Sequence, residues 1–230
     1  MRHHTEIDDT AELGRMYGMK KILIVEDHAI VRHGLIRTIQ DVLEQQIKFD
    51  EAADGQQAIR MVDDHIYDLV LLDISLPDQS GLNVLKLLHK QKPKLPIIML
   101  SSHPEEQYAV RTLKAGAAGY VNKGSAASIL KEAIEKVFTG RRYISATQAE
   151  LLADAVYDNQ ENRLFHESLS DREYELACMM AAGKTLTEIA KELSLNVKTV
   201  STYRARVLEK LQLRTTADII SYCIQHNLSL

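Results

Sequence analysis

Four short apolar runs each end in a residue able to do chemistry. Leu69-Val70-Leu71-Leu72 ends in Asp73, and Ile22-Leu23-Ile24-Val25 ends in the acidic pair Glu26-Asp27. Ile97-Ile98-Met99-Leu100 ends in Ser101-Ser102, and Gly119-Tyr120-Val121-Asn122 ends in Lys123. Three carboxylates brought together repel one another unless a cation lies between them, and an oxygen-only ligand set suits magnesium. A lysine and a hydroxyl facing an aspartate suit an anion that arrives on that aspartate.

Stepping from one run to the next requires elements that bring these ends together. Short, wholly apolar runs separated by amphipathic helices read as buried parallel strands. The carboxyl ends of such strands open on one edge, and that edge holds the ligand site. Strands are predicted near 21–25, 48–52, 68–73, 96–101 and 119–122. Helices are predicted near 29–44, 55–64, 82–90, 105–115 and 125–139. The fold class is therefore α/β: a doubly wound five-stranded parallel sheet, order 2-1-3-4-5, with right-handed crossovers.

After Gly140-Arg141-Arg142 the pattern changes. An amphipathic stretch runs from Ala146 to Val156, and the polar run 158–163 reads as a linker. An all-α domain follows from Leu169, with helices predicted at 171–182, 187–193, 197–211 and 215–226. Ser170 with Glu173 makes a capping box for the first, and Thr216 is the expected cap of the last. Two helical periods joined by Ser194-Leu195-Asn196 have helix-turn-helix spacing. On the second helix Val200, Val207 and Leu211 share one face, flanked by Tyr203 and Arg204. The opposite face carries Lys198, Ser201, Thr202, Ala205, Arg206 and Glu209. Its N-terminal part reaches base edges, so Lys198, Ser201, Thr202 and Ala205 are the expected base readers, with Thr199 also expected among the DNA-binding residues. Arg204, Arg206, Lys210 and Arg214 suit phosphates. From 198 to 214 there are five Lys/Arg against one Glu, whereas 169–230 holds eight basic against seven acidic residues.

The motifs IVEDH at 24–28, LLDISLPDQSG at 71–81, IIMLSS at 97–102 and GAAGYVNK at 116–123 together resemble the receiver domain of two-component response regulators. LSDRE at 169–173, EIAKEL at 188–193 and KTVSTYRARVLEKL at 198–211 resemble the LuxR-type output domain. The pair resembles the NarL/FixJ family, and the GacA/UvrY-like branch within it. The resemblance implies a flavodoxin-like receiver over 19–140, a linker with a helix over 141–168 and a helix-turn-helix domain over 169–230, after a tail at 1–18. It implies Asp73 as phosphoacceptor for a sensor histidine kinase. Magnesium would be held by Asp27, Asp73 and the Ser75 carbonyl directly, and by Glu26 through water. Ser101 and Lys123 would bind the phosphoryl group, with Tyr120 as the aromatic switch. Double-stranded DNA and, once phosphorylated, a second copy of the chain are the implied partners.

Composition narrows the alternatives. Lys and Arg number 28 against 32 Asp and Glu, a formal charge of −4, so the chain as a whole does not bind nucleic acid through its net charge. Two cysteines without paired spacing point to a reducing compartment, the cytoplasm. No apolar stretch approaches the roughly 18 residues of a membrane span. An aspartate-nucleophile phosphohydrolase needs a second acid two residues after the nucleophile, where this chain has Ser75. A receiver that works without phosphate sits badly with the complete acidic set. The acidic balance of 1–168 leads to a further expectation: the receiver covers the reading face of the recognition helix until it is phosphorylated.

Overall fold

The computed structural model describes residues 19–157, 165–193, 195–226 and 228. Five strands, β1 (Lys20–Val25), β2 (Ile47–Ala52), β3 (Leu69–Asp73), β4 (Ile97–Ser101) and β5 (Gly119–Asn122), form one parallel sheet in the order β2-β1-β3-β4-β5. The connecting helices are α1 (Ala29–Val42), α2 (Gly55–Asp64), α3 (Gly81–Gln91), α4 (Glu105–Lys114) and α5 (Ala127–Phe138).

Side chains of the strands alternate between two cores, as the pleat requires. Leu23, Val25, Val70, Leu72, Met99 and Tyr120 pack with Val62 of α2, Leu85 and Leu88 of α3 and Ala109 of α4. Ile22, Ile24, Leu69, Leu71, Ile98 and Val121 pack with Ile39 of α1 and Ile134 and Val137 of α5. Each buried aliphatic side chain contributes about 1.5–3 kcal/mol relative to exposure. Because both faces are apolar, alternation alone does not choose the register. The polar strand ends do: sliding a strand by one residue would carry Glu26 or Asp73 into a core. Val25 pairs with Leu72, Asp73 with Leu100 and Ser101 with Asn122, so the polar ends leave the sheet on one edge.

A sixth helix, α6 (Ala146–Tyr157), packs on α4. The polar run predicted as linker, 158–163, lies outside the described residues; after it Phe165–Ser168 forms a 3-10 turn. Then come α7 (Asp171–Ala181), α8 (Leu186–Glu192), α9 (Val197–Lys210) and α10 (Thr216–Gln225). Ser170 and Glu173 make the predicted capping box. The cap of α10 is Thr215 rather than Thr216, because Thr215 and not its neighbour has Asp218 three residues on to return the hydrogen bond. Leu195 and Asn196 turn the chain from α8 into α9, with Asn196 accepting from the Lys198 N–H at 2.8 Å; Ser194 lies outside the described residues.

The 3-10 turn tucks His166 among Tyr174, Tyr222 and His226. Burial, then the neighbouring His226 and Arg111, push its imidazole down to about 4. The unfolded chain takes a proton near pH 6.5 that the folded protein refuses, so this histidine stabilises the fold above that pH and the contribution is lost on acidification. Thermal unfolding at pH 5 is expected to show about 1–2 kcal/mol less stability from this group than at pH 7, allowing for its partial exposure. His166→Gln is expected to flatten that pH dependence.

Candidate functional site

The carboxyl edge of the sheet gathers the predicted acidic, hydroxyl and basic groups. Asp73 is almost fully buried, and Glu26 and Ser101 are buried with it. Lys123 Nζ lies 2.9 Å from Asp73 Oδ2 and 2.5 Å from Glu26 Oε2. The Ser75 N–H hydrogen-bonds to the Asp73 carboxylate. The loop that carries Ser75 is closed by a bridge between Ser75 and Ser80 and by the Gly81 N–H donating to the Ile74 carbonyl at 2.7 Å.

The electrostatics follow from two buried carboxylates sharing the Lys123 ammonium. Burial pushes Asp73 up to about 6; Lys123 opposes this and Glu26 reinforces it. Burial works against the charge on Lys123, but Asp73 and Glu26 outweigh it and hold the ammonium above the ordinary lysine range. The site is therefore short of positive charge. Among the described residues, carboxylate oxygens of Glu26 and Asp27 and a ring nitrogen of His28 lie within 4.8 Å of one another. Asp27 Oδ1 is buried and makes no hydrogen bond among the described residues, although His28 Nδ1 approaches to 2.8 Å. A buried carboxylate oxygen that has only an imidazole near it, beside a second carboxylate, fits a hard divalent cation. The close set is Glu26, Asp27 and His28; the predicted sharing between Asp27 and Asp73 is not among it, and Asp73 Oδ2 faces Lys123 instead. His28 was missed in the sequence, where it reads only as the residue before a helix. The Asp27 carboxylate holds its imidazole above the usual range, against the effect of burial.

The β4–α4 loop connects these groups to Tyr120. Ser101 Oγ accepts from the His103 N–H at 3.0 Å. The His103 carbonyl accepts from the Tyr120 hydroxyl at 2.9 Å and from Asn122 Nδ2 at 2.8 Å. Tyr120 is wholly buried, and its own carbonyl accepts from the buried Gln148 of α6 at 2.9 Å.

The second site is the outer face of α9. Val200 and Val207 are buried in the core on the opposite side and Leu211, the C-cap, is buried with them, while Lys198, Thr199, Thr202, Ala205 and Arg206 are exposed. Ser201 is half-buried. Two of the predicted phosphate binders are already engaged: Arg204 donates to Thr216 Oγ1 at 3.1 Å, and Lys210 contacts Glu173 at 2.6 Å and the Ser168 carbonyl at 3.2 Å. The glycine-lysine-threonine run at 183–185 is helix punctuation. Gly183 closes α7 with φ +82, and Thr185 caps α8.

Comparison with known proteins agrees with this geometry. Residues 22–135 match the response regulator receiver domain, and residues 167–223 match the bacterial regulatory proteins of the luxR family. The chain is 32% identical over 210 residues to the response regulator UvrY of Escherichia coli, covering 91% of this chain and 96% of that protein. It belongs to the response regulators. The response regulator GacA of Pseudomonas aeruginosa is likewise 32% identical, over 91% of this chain and 98% of its own. RcsB of Salmonella enterica, solved bound to a promoter with a beryllium fluoride phosphomimetic, shares the fold at TM-score 0.58 and 23% identity, covering 88% of this chain and 97% of that one. The chain thus pairs a receiver with a LuxR-type DNA-binding domain, as DNA-binding response regulators do. Among the described residues no helix is long and apolar enough to cross a membrane.

In this response regulator the two domains touch through α7, and this corrects the expectation that the receiver covers the recognition helix. Asp171 pairs with Lys86 of α3 at 3.0 Å and with Arg111 of α4 at 3.4 Å. Tyr174 meets Tyr108 edge-on at 5.4 Å. Arg172 donates to the Leu76 carbonyl at 2.7 Å, and Ser75 Oγ donates to Glu175 at 3.3 Å. The physical reason is local. Lys198 and Arg206 of α9 are exposed, and Arg204 and Lys210 are engaged within their own domain, whereas Asp171 of α7 meets Lys86 and Arg111. The N-terminal half of α7 gave no sign in the sequence of a domain contact; its acids read there as helix capping.

Proposed function

We propose that Asp73 accepts a phosphoryl group from the phosphohistidine of a sensor kinase, and that the modified protein regulates transcription through α9. Support comes chiefly from one observation: a buried, hydrogen-bonded carboxylate at a strand end faces a half-buried ammonium at 2.9 Å in a chain that also carries an exposed basic reading helix. An Asp73 carboxylate oxygen attacks phosphorus, the donor N–P bond breaks as the O–P bond forms, and the donor ring, protonated on its other nitrogen, departs as neutral imidazole. Lys123 stays protonated and faces the transferring oxygens, and the Ser101 hydroxyl donates to one of them. Asp27 and Asp73 would hold magnesium, with the Ser75 carbonyl and, through water, Glu26; the ion supplies charge neutralisation on the transferring group.

The aspartyl-phosphate adds nearly two negative charges. As Ser101 turns toward them, its oxygen leaves the His103 N–H. The His103 carbonyl, held by Tyr120 and Asn122, moves with its loop, and β5 and α6 feel the change through Gln148. Two copies of the phosphorylated chain then present two α9 helices to half-sites about 34 Å apart. The target DNA and the two free, buried thiols, Cys178 and Cys223, both suit the cytoplasm.

The reading helix is tested by salt-dependent DNA titration. Arg206→Ala is expected to weaken binding to every duplex and to flatten the log-affinity against log-salt slope by about one unit. The Thr202 hydroxyl gives its proton to the Lys198 carbonyl at 3.0 Å, so its oxygen is left to accept. Thr202→Ala is expected to cost about 1–3 kcal/mol at one base position only. Lys210→Ala is expected to act differently. It leaves the buried Glu173 without its ammonium, so it lowers the unfolding temperature and leaves the salt slope unchanged. Wild-type binding by Arg206→Ala and Thr202→Ala together would remove α9 as the reader.

A further inference from the structure

Helix α7 of the DNA-binding domain reaches the loop that carries the phosphorylation chemistry. The Ser75 N–H binds the Asp73 carboxylate, and the Ser75 hydroxyl, two bonds from its own backbone, donates to Glu175 at 3.3 Å. Glu175 is 1% exposed and is held by Arg172 at 2.7 Å. Arg172 in turn donates to the Leu76 carbonyl at 2.7 Å. Two consecutive residues of the β3–α3 loop are therefore clamped from the other domain. Burial, and then the Lys184 ammonium, hold the His103 imidazole on the loop after β4 below its usual range, so the segment following α7 also stands near this edge of the sheet.

We propose that Glu175 is a positioning residue for phosphoryl transfer: through Ser75, α7 restrains the phosphorylation loop and slows the reaction at Asp73. The inference rests on Asp73 being the phosphoacceptor. Three physical features carry it. Phosphoryl transfer brings negative charge next to Ser75, and a buried carboxylate already sits on that residue's side chain. The restrained loop cannot shift to accommodate the larger group while Leu76 is pinned by Arg172. The dock is also easily reversed. The Tyr108 hydroxyl and Arg111 Nη1 are buried at it without hydrogen-bond partners among the described residues, and each such omission weakens an interface. Coupling of this kind is reciprocal, so whatever α7 takes from phosphorylation, phosphorylation takes from the α7 dock.

The full-length protein is labelled with acetyl phosphate in magnesium, and the rate of acid-labile phosphate formation is measured. Glu175→Gln keeps the shape but loses the charge that holds Arg172 and strengthens the hydrogen bond from Ser75. Asp171→Asn weakens the dock at its far end, at Lys86 and Arg111, without altering the phosphorylation loop. Each is expected to raise the labelling rate roughly 5-fold or more, the lower end of typical coupling between sites. The double variant is expected to be no faster than the faster single one, because both weaken the same α7 dock. A purely structural role would lower the unfolding temperature and leave the rate alone. A wild-type rate in either single variant, or rates that multiply in the double, would overturn the inference. Asp73→Asn in the same assay separates the two levels: label persisting there removes the phosphoacceptor reading itself, whereas its loss beside unchanged Glu175→Gln rates removes only the role of α7.

Discussion

Asp73→Asn is expected to abolish acid-labile phosphate incorporation from a small phosphodonor in magnesium. The amide nitrogen and oxygen keep the size of the side chain and its hydrogen bonds to Ser75, but the amide is not a nucleophile at phosphorus. Other carboxylates nearby do not substitute. Glu26 is fully buried against Lys123, and Asp27 lies with Glu26 and His28 in the cluster proposed to hold the cation. The same substitution is expected to stabilise the metal-free protein at neutral pH. Burial has pushed Asp73 up to about 6, so its ionised form is disfavoured in the folded state relative to the unfolded chain. The sign is opposite to that of an ordinary surface carboxylate: stability from this group is greatest below the unfolded value near 4 and falls as pH rises toward 6. Incorporation undiminished in Asp73→Asn would contradict the assignment.

Gly81→Ala is expected to be among the most damaging single substitutions in the receiver. A Cβ at this position would stand 1.9 Å from the Asp73 carbonyl oxygen and 2.9 Å from Ile74 Cα. Both atoms are backbone, so no side chain can swing aside. The Gly81 N–H also closes the loop by donating to Ile74, which fixes how near α3 approaches the end of β3. Overpacking typically costs 1–3 kcal/mol, and a backbone collision this close is expected to cost about 3 kcal/mol or more. Denaturant unfolding measures the loss. Labelling at Asp73 is expected to fall with it, because the phosphoacceptor's own peptide must move.

The receiver site was legible in the sequence because parallel strands make it so. A strand buried on both faces is a continuous apolar run, and its end is marked by the first residue that cannot be buried without a partner. Glu26, Asp73, Ser101 and Lys123 are such residues, and the sheet order puts their ends on one edge. The apolar face of α9 was legible through Val200, Val207 and Leu211 at helical spacing. What pairwise charge does was not legible. Lys210 reads as a phosphate binder until Glu173, 37 residues away, is seen beneath it, and Arg204 is spent in the same way on Thr216. The α7 dock was hidden for a related reason. Asp171 and Glu173 satisfy every rule for the first turn of a helix, and their further partners lie on distant parts of the chain. His28 escaped because one imidazole before a helix carries no periodic signal.

Modification of Asp73 is the event proposed to control DNA binding by α9. The most direct measurement is a titration of the full-length protein against its operator duplex, before and after treatment with acetyl phosphate and magnesium, for wild type and Asp73→Asn side by side. Wild type is expected to bind more tightly after treatment, with the transition sharpened by dimer formation, and Asp73→Asn is expected to give the same curve before and after. An equal gain in Asp73→Asn, or none in a wild-type sample shown to be labelled, would contradict it.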